Sequence, residues 1–412
     1  MDWLLITLAV SATTLMVWVD RIRFGTWFTP TTILAVPYMA IALLAFTVGP
    51  ALGYVPLYTP SLIVWTCYTA LFWGTGQIAS GFLPRAALHA SPPLNEESAR
   101  PLALTAAWLA IPILAYGTWV AGNSLGGLED FRGDEYREAT MHGWLGHLLV
   151  VSYPIFIYLV GVVRRKNIVL CGVSAGLLLI LMVLRPTKGW VMLPLVAGLL
   201  CRARMGRFRL SLGKTVAIIL LMYCVFNVSY LIAFASADPQ ALSDPEVYSQ
   251  LFRRFGDYFF AGVLAFGAHM QNGGAYAYNP PAAYAPFINL AATITGHPLV
   301  NPILEDFTVI RSGMDGFRVN VHTLFGTLIM SLGYLETSFY TFALSLITYA
   351  GFLASRRSRD VWITALWCFV AAGLAFAWFD TYFSQLALLE VPAYCLLLSA
   401  ISRMTLEQRP SR

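Results

Sequence analysis

Apolar positions in this chain fall in long unbroken runs. Runs near the roughly 17 to 25 residues that a helix needs to cross a hydrocarbon core occupy 2–19, 30–54, 58–83, 102–124, 144–163, 167–184, 189–201, 213–236, 335–355, 361–379 and 383–402. They predict eleven membrane-spanning helices. The first run has Asp2 ahead of it and no basic leader, so it is expected to be a retained helix, not a cleaved signal.

Polar residues collect in two longer connections. One is "GGLEDFRGDEYREATMHGW" (126–144), the densest charge cluster in the chain. The other runs from Ala237 to about Tyr334, between the eighth and ninth runs, and loops of such length inside a compact domain are usually functional. It holds an amphipathic piece, "VYSQLFRRFGDYFFAGVLAFGAHM" (247–270), expected in or near the membrane interface. A Pro/Tyr/Asn-rich irregular stretch (272–287) follows, and then residues 311–342, whose later half reads as a partly re-entrant helix. With no internal repeat and no second soluble domain, the expectation is one integral membrane domain, 1–412, of the all-α class.

Composition agrees. Of 412 residues, 58% are hydrophobic and 11% charged, and the mean hydropathy is +0.67, too apolar for an ordinary soluble globule. The six cysteines fall within the predicted spans as small packing residues, and no Cys/His spacing suits a disulfide or a metal site.

Charge gives the expected orientation. Cytoplasmic loops collect Lys and Arg, and 18 of the 26 basic residues fall on one set of loops, in clusters at 21–23, 85–100, 164–166, 202–214, 356–359 and 403–412. That side is read as cytoplasmic. An odd number of spans then puts the N-terminus outside and the C-terminus inside, and the net charge of +5 reflects this bias, with no nucleic-acid partner implied. The other eight, Arg132, Arg137, Arg185, Lys188, Arg253, Arg254, Arg311 and Arg318, lie outside with most of the acidic residues.

These stranded cations and their neighbours are the candidate chemistry. In "VLRPTKGW", thirteen uncharged residues separate Lys188 from Arg202 and climb only about 20 Å as helix, so Lys188 sits recessed and faces a cavity or an anion. Alternatively the helix extends past Arg202 and Lys188 reaches ordinary headgroups. Arg185 offers a planar fork for phosphate and Lys188 a point charge. In "FRGDEYREATMHG", Arg132 and Arg137 interleave with Asp134, Glu135 and Glu138. They form either a self-compensating surface network or an anion holder beside a proton-accepting carboxylate. In "LFRRFGDYFF", Arg253, Arg254 and Tyr258 either anchor a flat helix or meet lipid-linked phosphate while Asp257 pairs with Arg253 one turn away. "RVNVHTLFG" is an extended segment whose alternation puts Arg318, Asn320 and His322 on one face; His322 is either structural or a general base. Asp380 and Tyr382 fall on the same outer side. Glu390 lies in the last span and must be protonated or paired. His89, Glu96 and Glu97 read as solvated cytoplasmic loop.

Together these pieces resemble a family. A polytopic bundle with two large external loops, an arginine-bearing "FRGDEY" loop, "RPTKG" opening a helix, "DYFFAG", and "NVHT" before an apolar helix, a Gly and "SFYTF" is similar to the Wzy-type O-antigen polymerases. Arg132 and Gly143 also fit the arginine-x10-glycine spacing of some members. The resemblance implies a GT-C-like, metal-independent glycosyltransferase of the bacterial inner membrane with no cofactor, two periplasmic loops and a periplasmic active site. Its substrates would be undecaprenyl-diphosphate-linked oligosaccharides, polymerised into O-antigen or related polysaccharide, with a Wzz-type chain-length regulator as a plausible partner. Arg185 and Lys188 would hold the donor diphosphate and Arg132 or Arg254 the acceptor's. His322, or failing it Asp134 or Asp257, would act as base, while Tyr258 and Asn320 orient sugar. The related O-antigen ligases share the layout, but "NVHT" lacks the His-Asn start of their motif. A lipid-linked-glycan transporter is the alternative from another class; its charges would sit on broken helices near the bilayer midplane, often in two matching halves.

Overall fold

The computed structural model describes residues 1–84, 88–89, 92–124, 134–141, 143–184, 189–208, 211–237, 239–273, 278–303, 307–311 and 317–407. Over these the chain is all-α apart from one two-residue strand pair. The helices are α1 (Asp2–Phe24), α2 (Pro30–Thr47), α3 (Pro60–Gly81), α4 (Glu96–Ser124), α5 (Asp134–Met141), α6 (Gly143–Val162), α7 (Val173–Val183), α8 (Gly189–Arg204), α9 (Leu212–Ala237), α10 (Pro245–Gln271), α11 (Pro280–Ala283), α12 (Ala285–Thr295), α13 (Thr323–Arg357), α14 (Val361–Ala375) and α15 (Ala387–Glu407). Strand β1 (Thr308–Val309) pairs antiparallel with β2 (Arg318–Val319).

Among the described residues seven helical stretches are long and apolar enough to cross a membrane: α1, α2, α6, α13, the bulk of α4 and α15, and α7 with the turns before it. This is the architecture of a multi-pass membrane protein. The other four predicted spans are also helices, α3, α8, α9 and α14.

Two compact units divide the chain. The first comprises Met1–Ser91, Gly256–Arg357 and Gly373–Leu389. Here α3 packs on α1 and on α13 through an aromatic core, in which Tyr38 stacks on Trp65 at 3.7 Å and Phe325 meets the rings of Trp65 and Tyr68. A polar network runs through it. Gln77 Nε2 and the Tyr349 hydroxyl both donate to the fully buried Asp20 carboxylate, at 2.5 and 2.9 Å, so this carboxylate has donors where no water reaches it. At one end of the unit Arg356 donates to the carbonyl oxygens of Phe24 and His89. At the other, the Thr59 hydroxyl donates to Asp2.

The second unit comprises Pro92–Phe255, Ser358–Ala372 and Glu390–Arg412. In it α6 packs closely on α8 and α4, with Gly198 lying where an added Cβ would come within 2.9 Å of Val160. One end is tied by Glu96, which accepts from both Arg164 and Arg207. Thus Glu96 heads a helix inside an ion cluster, and the solvated-loop expectation for it is corrected. At the same end Asn95 N–H donates to Arg359 O. At the opposite end the Tyr136 hydroxyl donates to Leu184 O.

The largest departure from expectation lies in α13. The helix begins at Thr323, twelve residues before the predicted span, and is broken once at Gly333 (φ 76, ψ 175), a conformation that glycine tolerates and side chains do not. Residues 323–332 form a separate short helix, buried throughout. The expected re-entrant piece is therefore a helix enclosed by protein, which satisfies its own backbone where lipid would not.

Candidate functional site

The chemistry-bearing residues of the first unit gather around the start of α13. Thr323, the residue that opens it, has φ 67, and its N–H donates to Phe379 O while Leu324 N–H donates to Ala377 O. Two of the four N–H groups that a helix start leaves without partners are thus held by the segment between α14 and α15. Helix α10 lies on the same segment. A Cβ at Gly262 would fall 2.2 Å from Phe379 O and 2.4 Å from Trp378 O, so only glycine permits this approach.

Asp380 follows directly. One carboxylate oxygen accepts from the Thr327 hydroxyl at 2.9 Å and from Thr381 N–H at 2.7 Å. Burial pushes its pKa from 3.8 up to about 7, against those two hydrogen bonds. By surface area the residue is only partly covered. Tyr382 packs edge-on against Phe376, and burial raises its phenol, with the Asp380 charge adding to the shift. Tyr258, 37% exposed, stacks on Phe379 at 6.0 Å and leans on Phe317 at 6.3 Å. A half-open aromatic surface therefore adjoins the segment that carries a carboxylate able to change charge at neutral pH.

His322 sits just before α13, fully buried. Its Nε2 lies 2.9 Å from the Thr308 hydroxyl of β1, and its Nδ1 has no hydrogen-bond partner among the described residues. Burial, and then the neighbouring His269 ring at 5.9 Å, lower its pKa to about 3. The imidazole is neutral at pH 7 and a weak proton acceptor there. The expected alternation is also broken: Arg318 is exposed while Val319 and His322 are buried, so Arg318 and His322 do not share a solvent-facing side. Asn320 is half-buried.

Asp257 is 2% exposed. It accepts from Arg311 and from the Tyr54 hydroxyl, with the Arg311 guanidinium 5.2 Å from the Tyr54 ring centre. Burial foremost pushes the Tyr54 phenol up to about 12. The predicted partner for Asp257 was Arg253, one turn away; the structure instead gives it Arg311, 54 residues on, and Tyr54. Val55 N–H donates to Ile310 O and Tyr54 bridges Arg311, so the cluster fastens the β1–β2 hairpin to α10 and to the loop before α3.

The remaining candidates belong to the second unit. Arg253 and Arg254 are exposed on α10, with the Arg254 guanidinium 5.3 Å from the Tyr230 ring centre. Glu390 is paired, as its depth in a span requires: His147 Nδ1 lies 2.5 Å from its carboxylate. Arg132, Arg185 and Lys188 lie outside the described residues, as do the side chains of Asp134 and Arg137.

Residues 119–408 match the model of a family of unknown function, DUF6337. The chain belongs to that family. The matched stretch takes in Asp257, Tyr258, Arg311, His322 and Asp380 and leaves out Tyr54. No curated protein and no solved structure matches the chain.

Sequence reading missed Tyr54, Thr308, His269, Thr327 and His147. A histidine inside an apolar run was the available signal for His147. For Tyr54, Thr308 and Thr327 the signal is tertiary alone. All six cysteines are free thiols, and among the described residues no three His, Cys, Asp or Glu side chains converge.

Proposed function

We propose that this protein is a membrane glycosyltransferase that polymerises undecaprenyl-diphosphate-linked oligosaccharides at the outer face of a bacterial inner membrane. The observation that carries the reading is Asp380: a carboxylate titrating near neutrality, in a segment whose Phe379 stacks with Tyr258. Aromatic faces pack against sugar rings, and a base works best with a pKa near the working pH.

In this reading Asp380 takes the proton of the acceptor hydroxyl. The hydroxyl oxygen forms its bond to the donor sugar's anomeric carbon, the bond from that carbon to the diphosphate oxygen breaks, and undecaprenyl diphosphate leaves with the electron pair. Fixed cations stabilise the developing charge. Arg318, exposed in β2, is one. The base passes from His322 to Asp380 because burial makes the imidazole a weak acceptor, and Asp257 keeps Arg311 in place.

The topology proposed is eleven spans, N-terminus outside, C-terminus inside, GT-C-like. The loop contacts support it. Phe24, His89 and Arg356 meet at one end of the first unit, and Glu96, Arg164 and Arg207 at one end of the second; charge assigns all six to the cytoplasm.

The test is elongation of lipid-linked repeat units by purified, reconstituted protein. Wild type is expected to build polymer, and Asp380→Asn to lose about 10²–10⁴-fold in rate, the usual contribution of a general base. A wild type that makes no polymer, or an Asp380→Asn variant at full rate, overturns the reading.

A second reading, transport of lipid-linked glycan, is favoured by the His147–Glu390 pair, because ionisable pairs inside apolar helices mark proton paths. Glycan crossing vesicles without elongation would select it.

A further inference from the structure

A cavity of about 230 Å³ opens in the second unit among residues that glycosyl transfer does not use. Asn95, Ser98, Asp360, Ser402 and two cations, Arg359 and Arg403, line it. Two helices begin at its wall, α4 at Glu96 and α14 at Val361, and a helix start directs N–H groups and a positive dipole end at whatever lies before it.

Asp360 is the one carboxylate among the lining residues, and its charge is already engaged. One oxygen accepts from Trp362 N–H at 2.8 Å. The other accepts from the Ser399 hydroxyl at 2.5 Å and from Arg403 at 3.3 Å. The pairing with Arg403 cancels that charge, and the same carboxylate caps the start of α14, which leaves Arg359, exposed at the rim, to set the sign of the field together with the start of α4. Trp362 Nε1 donates to Ser402 Oγ at 2.9 Å, which fixes that hydroxyl in the wall.

We propose that this cavity binds a phosphate group. The donors are of the kinds that phosphate recognition combines: a guanidinium fork, hydroxyls and a helix N-terminus. Phosphate reaches such a place either as a phospholipid headgroup or free in solution, and the chemistry of the wall is the same for both. The inference is independent of glycosyl transfer, since its readout is binding.

The full chain is placed in phosphatidylcholine nanodiscs with a minor fraction of phosphatidylglycerol, and retained lipid is counted by native mass spectrometry. In parallel, inorganic phosphate is titrated against thermal unfolding in pure phosphatidylcholine. Preferential retention of phosphatidylglycerol identifies the headgroup as the source, and a rise in melting temperature with inorganic phosphate identifies the free anion. In either case Arg359→Gln weakens binding about tenfold, the loss of one charge-assisted hydrogen bond. Arg359→Glu weakens it further, and Arg359→Gln serves alone should the reversed charge not fold. Equal retention of the two lipids with no response to phosphate overturns the proposal. So does Arg359→Gln binding as wild type does.

Discussion

Asp380 and His322 are both titratable and both near the start of α13, yet burial drives them in opposite functional directions. Desolvation always disfavours the charged form. For a carboxylate that raises the pKa into the useful range, to about 7, and for an imidazole it lowers it out of that range, to about 3. The rate of elongation should therefore rise with pH along a limb centred near 7, and Asp380→Asn should flatten that limb; a pH–rate profile of both proteins checks it. Stability should move the other way. Between about pH 4 and 7 the folded chain holds a proton at Asp380 that the unfolded chain has released, so stability falls as pH rises through that window. Melting curves of wild type and Asp380→Asn across it would register the difference. The sequence made Asp380 legible as a polar residue between two apolar runs. It could not reveal the desolvation, which comes from the packing around the loop between α14 and α15.

At the scale of elements, the pair of Asp257 with Arg311 is the charged part of what fastens the β1–β2 hairpin. Removing one partner of such a pair strands the other and costs about 3–5 kcal/mol, whereas replacing both with apolar residues is often close to neutral. Arg311→Met and Asp257→Leu should each lower thermal stability sharply and expose the hairpin to limited proteolysis, while the double variant recovers most of both. Additive losses in this double-mutant cycle would show that the two side chains act separately. The helices themselves were readable because their apolar runs are long. Residues 323–332 were readable as part of an apolar, re-entrant helix but not as one enclosed by protein, because the polar positions Thr323, Thr327 and Ser331 that mark its buried face do not say what surrounds them. The pairing of Asp257 with Arg311 was equally hidden, since helical spacing points to Arg253 and only the folded hairpin brings Arg311 back.

For the whole molecule, the count and direction of spans decide where the chemistry happens. The proposed topology, eleven spans with the N-terminus outside, would place Ser243 and Ser358 on opposite sides of the bilayer. A membrane-impermeant maleimide should label Ser243→Cys in intact cells from the outside and reach Ser358→Cys only after permeabilisation, in a background lacking the native cysteines. The reverse pattern would invert the orientation. Charge asymmetry along the chain is what predicts this arrangement, and the contact of Arg356 with Phe24 and His89, loops of like predicted side, fits it within the first unit.

The bare approach of α10 to the carbonyls of Trp378 and Phe379 has a consequence for how this protein can change. Because main chain meets main chain there, the loop that presents Asp380 is located by an absence of bulk at Gly262. In the proposed glycosyl transfer, neighbouring aromatics would then be free to vary, and with them the sugars a descendant would accept, while the proposed base stays where it is.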